Sequence, residues 1–153
     1  MYVSYLIPTY NEEQNLERLY RKLIDQIRQS NIGQYEIIFV NDGSRDCSRD
    51  IIRNLALKDS SVKCLSFSRN FGQQMAIMAG IEHCAGDIAI VMDADLQDDP
   101  HLINKLIGKY KEGFDIVYAI REKRKESILK RFCFSAFHKI MNRVSDIPIP
   151  ENA

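Results

Sequence analysis

Apolar and polar positions fall in blocks along the chain, and the blocks change period. Val3 to Pro8 (VSYLIP) is a run apolar enough for a strand buried on both faces. Asn11 then stands where a helix cap would, with Gln14 three residues later at capping-box spacing. Leu16, Leu19, Tyr20, Leu23, Ile24 and Ile27 recur at helical intervals and predict one apolar helix face. Tyr35 to Val40 (YEIIFV) reads as a second strand, broken by Asn41-Asp42-Gly43-Ser44. A helix over Asp46 to Lys58 and a strand over Val62 to Phe67 follow.

The same alternation continues. Gly72 to Cys84 is an Ala- and Met-rich helix stopped near Gly86, and Ile88 to Met92 is a strand running into Asp93-Ala94-Asp95. Asp99-Pro100 supplies a cap and a first-turn proline for a helix bearing Leu102, Ile103, Leu106, Ile107 and Tyr110. Gly113 ends that helix, and Asp115 to Ile120 is expected to be a fifth strand. Strands alternating with helices predict an α/β fold: a mostly parallel, doubly wound sheet with helices on both faces. In such a sheet, ligands sit outside the carboxyl ends of the strands. The polar clusters of this chain lie at those ends: residues 8–12, 41–44, 68–70, 93–95 and Arg121. Five clusters on one rim imply one site.

Composition agrees with this picture and narrows it. The chain has 153 residues, 45% hydrophobic and 27% charged, which suits one domain with a real core and excludes disorder. No apolar stretch approaches the roughly 20 residues that span a bilayer, and no basic segment precedes the first apolar run. These residues are therefore expected to be soluble or peripheral. Cys47, Cys64, Cys84 and Cys133 are scattered, as reduced thiols in a cytosolic domain would be. The net charge of zero hides a division. Arg121 to Arg143 holds eight Lys/Arg and two Asp/Glu, leaving 13 basic and 19 acidic residues elsewhere, so a +6 segment faces a −6 remainder. That polarity suggests an anionic partner at one end.

Several chemistries lack their machinery. No G-x-G-x-x-G follows the first strand, no G-x-x-x-x-G-K-[ST] or G-x-S-x-G occurs, and no Cys/His pair suggests a nucleophile. His83, His101 and His138 sit in helical patterns with nothing at ligand spacing. Asp93 and Asp95 remain. Acidic pairs often cap helices, but these two follow a strand expected to be buried, with Gln97 and Asp98 next. Paired carboxylates there repel one another and are costly to desolvate without a cation. Mg²⁺ or Mn²⁺, hard ions that take oxygen ligands and leave positions for substrate phosphates, fits that need.

Pro8-Thr9-Tyr10-Asn11-Glu12, Asn41-Asp42-Gly43-Ser44, Arg69-Asn70-Phe71-Gly72 and Asp93-Ala94-Asp95-Leu96-Gln97-Asp98 together resemble the inverting family 2 glycosyltransferases of the GT-A fold. The likeness is greatest to those acting on polyprenyl phosphates, the dolichol-phosphate mannose synthase and bactoprenol glucosyltransferase group, and it covers nearly the whole chain. It implies a nucleotide-sugar donor of UDP-glucose or GDP-mannose type and a polyprenyl-phosphate acceptor. Pro8, Tyr10, Glu12 and Asp42 would then hold base and ribose, with Glu12 accepting from ribose hydroxyls and Asp42 from a base N–H. Arg69 and Ala94 would complete the donor site, Arg69 alternatively only bracing its loop. Asp93, Asp95 and Gln97 would hold the metal, and Arg121 would contact phosphate oxygens. Asp93, Asp95 and Arg121 form the implied catalytic set. The chain departs from the family pattern at Asn41, where relatives usually carry Asp, at Gln73, often Lys, and at Asp99, often Pro.

From Leu129 to Val144, apolar residues fall on one helical face with Lys130, Arg131, Lys139 and Arg143 around it. A basic amphipathic helix suits a membrane surface or a lipid phosphate, with Lys130 and Arg131 as contacts; it equally describes a domain helix with a solvated face. Nucleic acid is not expected, since no reader motif accompanies these charges. The division expected is residues 1–120 as a nucleotide-sugar-binding core and 121–153 as an acceptor- and membrane-side segment. Relatives continue beyond such a segment, so the chain is expected to be a C-terminally truncated fragment. The implied setting is cell-envelope glycan synthesis on the cytoplasmic face of the membrane, and a homo-oligomer is compatible with it. Rival readings are a family 2 enzyme with a glycan or protein acceptor, and a non-catalytic nucleotide-binding module.

Overall fold

The computed structural model of the chain describes residues 1–30, 32–94 and 102–119, and divides the chain into two units, Met1–Ile107 and Gly108–Ala153. In the first unit four strands, β1 (Tyr2–Thr9), β2 (Gln34–Asn41), β3 (Val62–Ser66) and β4 (Ile88–Val91), form one sheet in the order β3-β2-β1-β4. Every pairing is parallel, with Leu6 opposite both Ile38 and Val91. The helices are α1 (Leu16–Gln29), α2 (Ser48–Lys58), α3 (Gln73–His83) and α4 (Leu102–Lys111), the last running across the division between the units.

The strand order dictates where the helices go. From β1 to β3 the chain steps in one direction, and α1 and α2 cover one face, packing Leu16, Leu19, Leu23, Ile52 and Leu55 against Val3, Tyr5, Ile7, Ile37 and Phe39. The chain then crosses back to place β4 beside β1. Parallel crossovers are right-handed, so reversing direction puts the connecting helix on the opposite face. There α3 lies, with Ala76 against Leu6, Ile38 and Val40. Small residues let it approach closely: a Cβ added to Gly80 would stand 3.4 Å from Leu6 and Val40 side-chain carbons. Ile103 and Ile107 return α4 to the first face. Reversal between β1 and β4 makes their carboxyl ends the switch point of the sheet, where a crevice opens.

One buried charge stands out in this core. Glu36 of β2 is 1% exposed, accepts from Ser4 Oγ and the Ala85 N–H, both at 2.6 Å, and pairs with Lys63. Burial opposes its ionisation, but these donors prevail and hold its carboxyl below the ordinary value. The network pins the turn that leads from α3 into β4. Gly86, whose N–H donates to Ser4 Oγ at 2.9 Å, has no room there for a side chain.

Two expectations need correction. Asn11 is not a cap: α1 begins at Leu16 after a turn closed on the Glu12 carbonyl, and Asn11 takes a left-handed conformation at φ +56°. Its Oδ1 accepts from Arg45 N–H at 2.9 Å, so a neighbouring loop, not its own helix, uses that oxygen. In the second unit the described residues are 108–119, which finish α4, turn at Gly113 (φ +101°) and continue without strand pairing. The expected fifth strand is therefore absent over residues 115–119, where Ile116 is 82% exposed, and Ile120 lies outside the described residues. Alternation of apolar residues makes a strand only where a second strand accepts its hydrogen bonds, and alternation does not supply that partner. Among the described residues no helix is long and apolar enough to cross a membrane.

Candidate donor-binding cleft

A cleft of about 440 Å³ opens at the carboxyl ends of β1, β2 and β4, within the size range of small-molecule sites. Pro8, Tyr10 and Glu12 reach it from the end of β1, and Asp42 from the end of β2. Asn70 and Gly72 come from the loop after β3, Gln73 and Ala76 from α3, and Asp93 and Ala94 from the end of β4. Six residues expected in a donor site from sequence thus share one cleft: Pro8, Tyr10, Glu12, Asp42, Asp93 and Ala94.

Loop-to-loop hydrogen bonds build this rim. Asn11 N–H donates to Ser44 Oγ at 3.0 Å, Glu12 N–H to Ser48 Oγ at 2.9 Å, and Glu13 N–H to Asp46 Oδ2 at 3.1 Å. Cys47 N–H returns a bond to Glu13 Oε2 at 2.9 Å. The loop after β1 is thereby stitched to the loop after β2. A second stitch joins β2 to the loop after β3: Asp42, only 3% exposed, accepts the N–H of Phe71 at 2.7 Å and of Gly72 at 2.9 Å, one on each oxygen. Gly43 allows that approach, with φ +65° and no room for a Cβ against the Arg69 backbone. Asn41 caps the same turn, accepting from Ser44 N–H at 3.1 Å and donating to Ser66 Oγ at 2.9 Å. The hydroxyl of Ser66 can rotate to donate instead, so the position also suits the Asp of the family pattern.

The electrostatics of the cleft are one-sided. Among the described lining residues there are three carboxylates, Glu12, Asp42 and Asp93, and no Lys, Arg or His. Neutral donors hold all three: Asn15 Nδ2 on Glu12 Oε2 at 2.7 Å, the two loop N–H groups on Asp42, and Gln73 Nε2 on Asp93 Oδ1 at 2.8 Å. A cleft charged in this way fits a hard cation with oxygen ligands. Among the described residues no three His, Cys, Asp or Glu side chains gather closely enough to hold a metal by themselves. Asp93 offers one oxygen ligand, and Asp95 and Gln97 lie outside the described residues.

Not every expected residue is brought here. Arg69 does not line the cleft; its guanidinium lies 4.7 Å from the centre of the Phe71 ring, which in turn packs edge-on against Phe67. Arg121, Lys130 and Arg131 lie outside the described residues. Asn70, of the rim cluster 68–70, lines the cleft, and Gln73 and Ala76 line it without having been expected there. Gln73 was visible in sequence as a departure from the family pattern, but nothing local tied it to Asp93, 20 residues away.

The family description "Glycosyl transferase family 2" matches residues 4–145 of the chain. The chain belongs to glycosyl transferase family 2. It is 45% identical over 151 residues to the uncharacterised glycosyltransferase YkcC of Bacillus subtilis (strain 168), covering 96% of this chain and 46% of that protein. It is 40% identical over 153 residues to the bactoprenol glucosyl transferase of Shigella phage SfX, covering 99% of this chain and 50% of that protein. The chain thus spans about half the length of the curated relatives it matches. Its fold resembles that of glucosyl-3-phosphoglycerate synthase from Mycobacterium tuberculosis, solved with Mn²⁺, UDP and phosphoglyceric acid. The TM-score is 0.59 at 22% identity, over 98% of this chain and 54% of that one. The four-stranded parallel sheet with helices on both faces is a GT-A arrangement.

Proposed function

We propose that the chain carries the donor site of an inverting glycosyltransferase that moves a hexose from a nucleotide-diphosphate sugar to a polyprenyl phosphate at the cytoplasmic face of a membrane. The observation that carries this reading is the cleft at the switch point, lined by three carboxylates and no described basic side chain. Such a cleft repels a diphosphate unless a cation binds with it. The 40% identity to a bactoprenol glucosyl transferase supports the lipid acceptor and a glucosyl donor.

On this reading Pro8 and Tyr10 wall the base and ribose, and Glu12 Oε atoms accept from ribose hydroxyls. Asp42 does two things, since each oxygen that accepts a loop N–H keeps a second lone pair for a base N–H. Both oxygens act as acceptors here, so the side chain suits a base edge that offers N–H, as uracil and guanine do. Asp93, with Asp95 and Gln97, would hold Mg²⁺ or Mn²⁺, which when bound offsets charge on the leaving diphosphate. Arg121 is assigned to phosphate oxygens, and Lys130 and Arg131 to the acceptor phosphate. An acceptor phosphate oxygen forms the new bond to the anomeric carbon as the bond to the diphosphate breaks on the opposite face, which inverts the centre. That nucleophile is already ionised near neutral pH, so no strong general base is required.

Calorimetric titration of the chain with UDP and with GDP, each with and without Mn²⁺ and with Asp93→Asn alongside, tests the donor site. Metal-dependent binding of one nucleotide, lost in Asp93→Asn, is expected. A folded chain that binds neither nucleotide overturns the donor-site assignment. Transfer of radiolabelled sugar by the enzyme into polyprenyl phosphate tests the acceptor, and label in a non-lipid glycan or protein would replace it.

A further inference from the structure

We infer that Gln73 is a positioning residue for the cation site, acting through Asp93; this rests on the proposed role of Asp93 as a metal ligand. Gln73 is the first residue of α3, on the helix that the reversal of strand order places across from α1 and α2. Its side chain crosses the cleft mouth and donates from Nε2 to Asp93 Oδ1 at 2.8 Å, joining α3 to the end of β4. Asp93 lies just past the end of β4, and the Gln73 amide reaches its carboxylate from a helix.

The chemistry of the donor matters as much as its position. An amide orients the carboxylate and brings no positive charge of its own beside it. A lysine at 73 could make the same hydrogen bond, but its ammonium would lie beside the cation and repel it. Replacement of such outer partners typically costs about 10–100-fold in metal affinity. The geometry makes the neutral amide at 73 a tuning of cation affinity.

The test is Mn²⁺ binding, followed by the electron paramagnetic resonance of free Mn²⁺ with UDP present, for the unaltered chain, Gln73→Met, Gln73→Lys, Asp93→Asn and Gln73→Met/Asp93→Asn. Gln73→Met keeps the length and removes the donor, and is expected to weaken Mn²⁺ binding about 10-fold. Gln73→Lys is expected to be weaker still, with the gap between the two narrowing as salt is added. Because Gln73 is exposed, both variants should melt within a few degrees of the parent. In the double variant the Met substitution should add little, since its effect runs through Asp93. Weakening by Asp93→Asn but not by either Gln73 variant would overturn the positioning role alone. Unchanged binding in Asp93→Asn would overturn the metal assignment and the positioning role together. An equal loss from Gln73→Met with and without Asp93 would show that Gln73 acts by another route, and would also overturn the inference.

Discussion

Gly43 and Arg69 meet backbone to backbone: a Cβ added to Gly43 would stand 2.3 Å from the Arg69 carbonyl carbon. The contact fastens the loop after β2 to the loop after β3, beside the cleft that Asp42, Asn70 and Gly72 line. It explains why a glycine follows Asp42, since only there can Asp42 reach the Phe71 and Gly72 N–H groups.

Gly43→Ala should therefore be costly twice over. The left-handed φ of +65° strains any residue with a Cβ by about 1–2 kcal/mol, and the overlap with Arg69 adds roughly 1–3 kcal/mol. Urea unfolding should show a loss of about 2–5 kcal/mol on these two terms, together with loss of nucleotide binding. A variant as stable as the parent would mean the two loops separate freely.

Asp42→Asn tests whether the carboxylate braces the loop. The amide nitrogen would face a backbone N–H, leaving a buried donor unmatched at a cost of about 1–3 kcal/mol. Both the unfolding midpoint and the affinity for UDP or GDP should fall. A drop in affinity with no change in stability would assign Asp42 to ligand alone.

Glu36 gives the fold an acid sensitivity. Its folded value lies below the ordinary 4.5, so its stabilisation is complete above that ordinary value and is lost as pH falls through the folded value. Unfolding midpoints measured from pH 7 down to pH 3 should decline more steeply for the parent than for Glu36→Gln. At neutral pH the variant should be less stable by about 1–3 kcal/mol, because Ser4 and Ala85 lose a charged acceptor. Parallel pH profiles would place the acid sensitivity elsewhere.

Tyr5 offers the opposite sign. Its ring is fully buried on the face covered by α1, and its hydroxyl has no hydrogen-bond partner among the described residues. Burial raises its pKa far above the ordinary value. Tyr5→Phe removes an uncompensated polar group and should be neutral or stabilising by about 1 kcal/mol in thermal unfolding. A clear loss of stability would reveal a partner for the hydroxyl.

Much of this molecule was legible in the order of its residues. Strands buried on both faces must be continuous apolar runs, so β1 and β2 announced themselves, and the polar clusters that end them marked the rim of the cleft. Helix periodicity placed Leu16, Leu19, Leu23 and Ile27 on the face that α1 buries. These features rest on neighbours within a few residues, which is what a sequence records directly. The order β3-β2-β1-β4 and the partners of individual side chains are different in kind. Asn11 reads as a cap until Arg45, 34 residues on, takes its oxygen. Glu36 reads as an intruder in an apolar strand until Ser4 and Ala85, 32 and 49 residues away, enclose it. Hydrogen bonds act over about 3 Å of space and are blind to separation along the chain. The sequence therefore determined which residues reach the rim, and the packing of the sheet decided which of them touch.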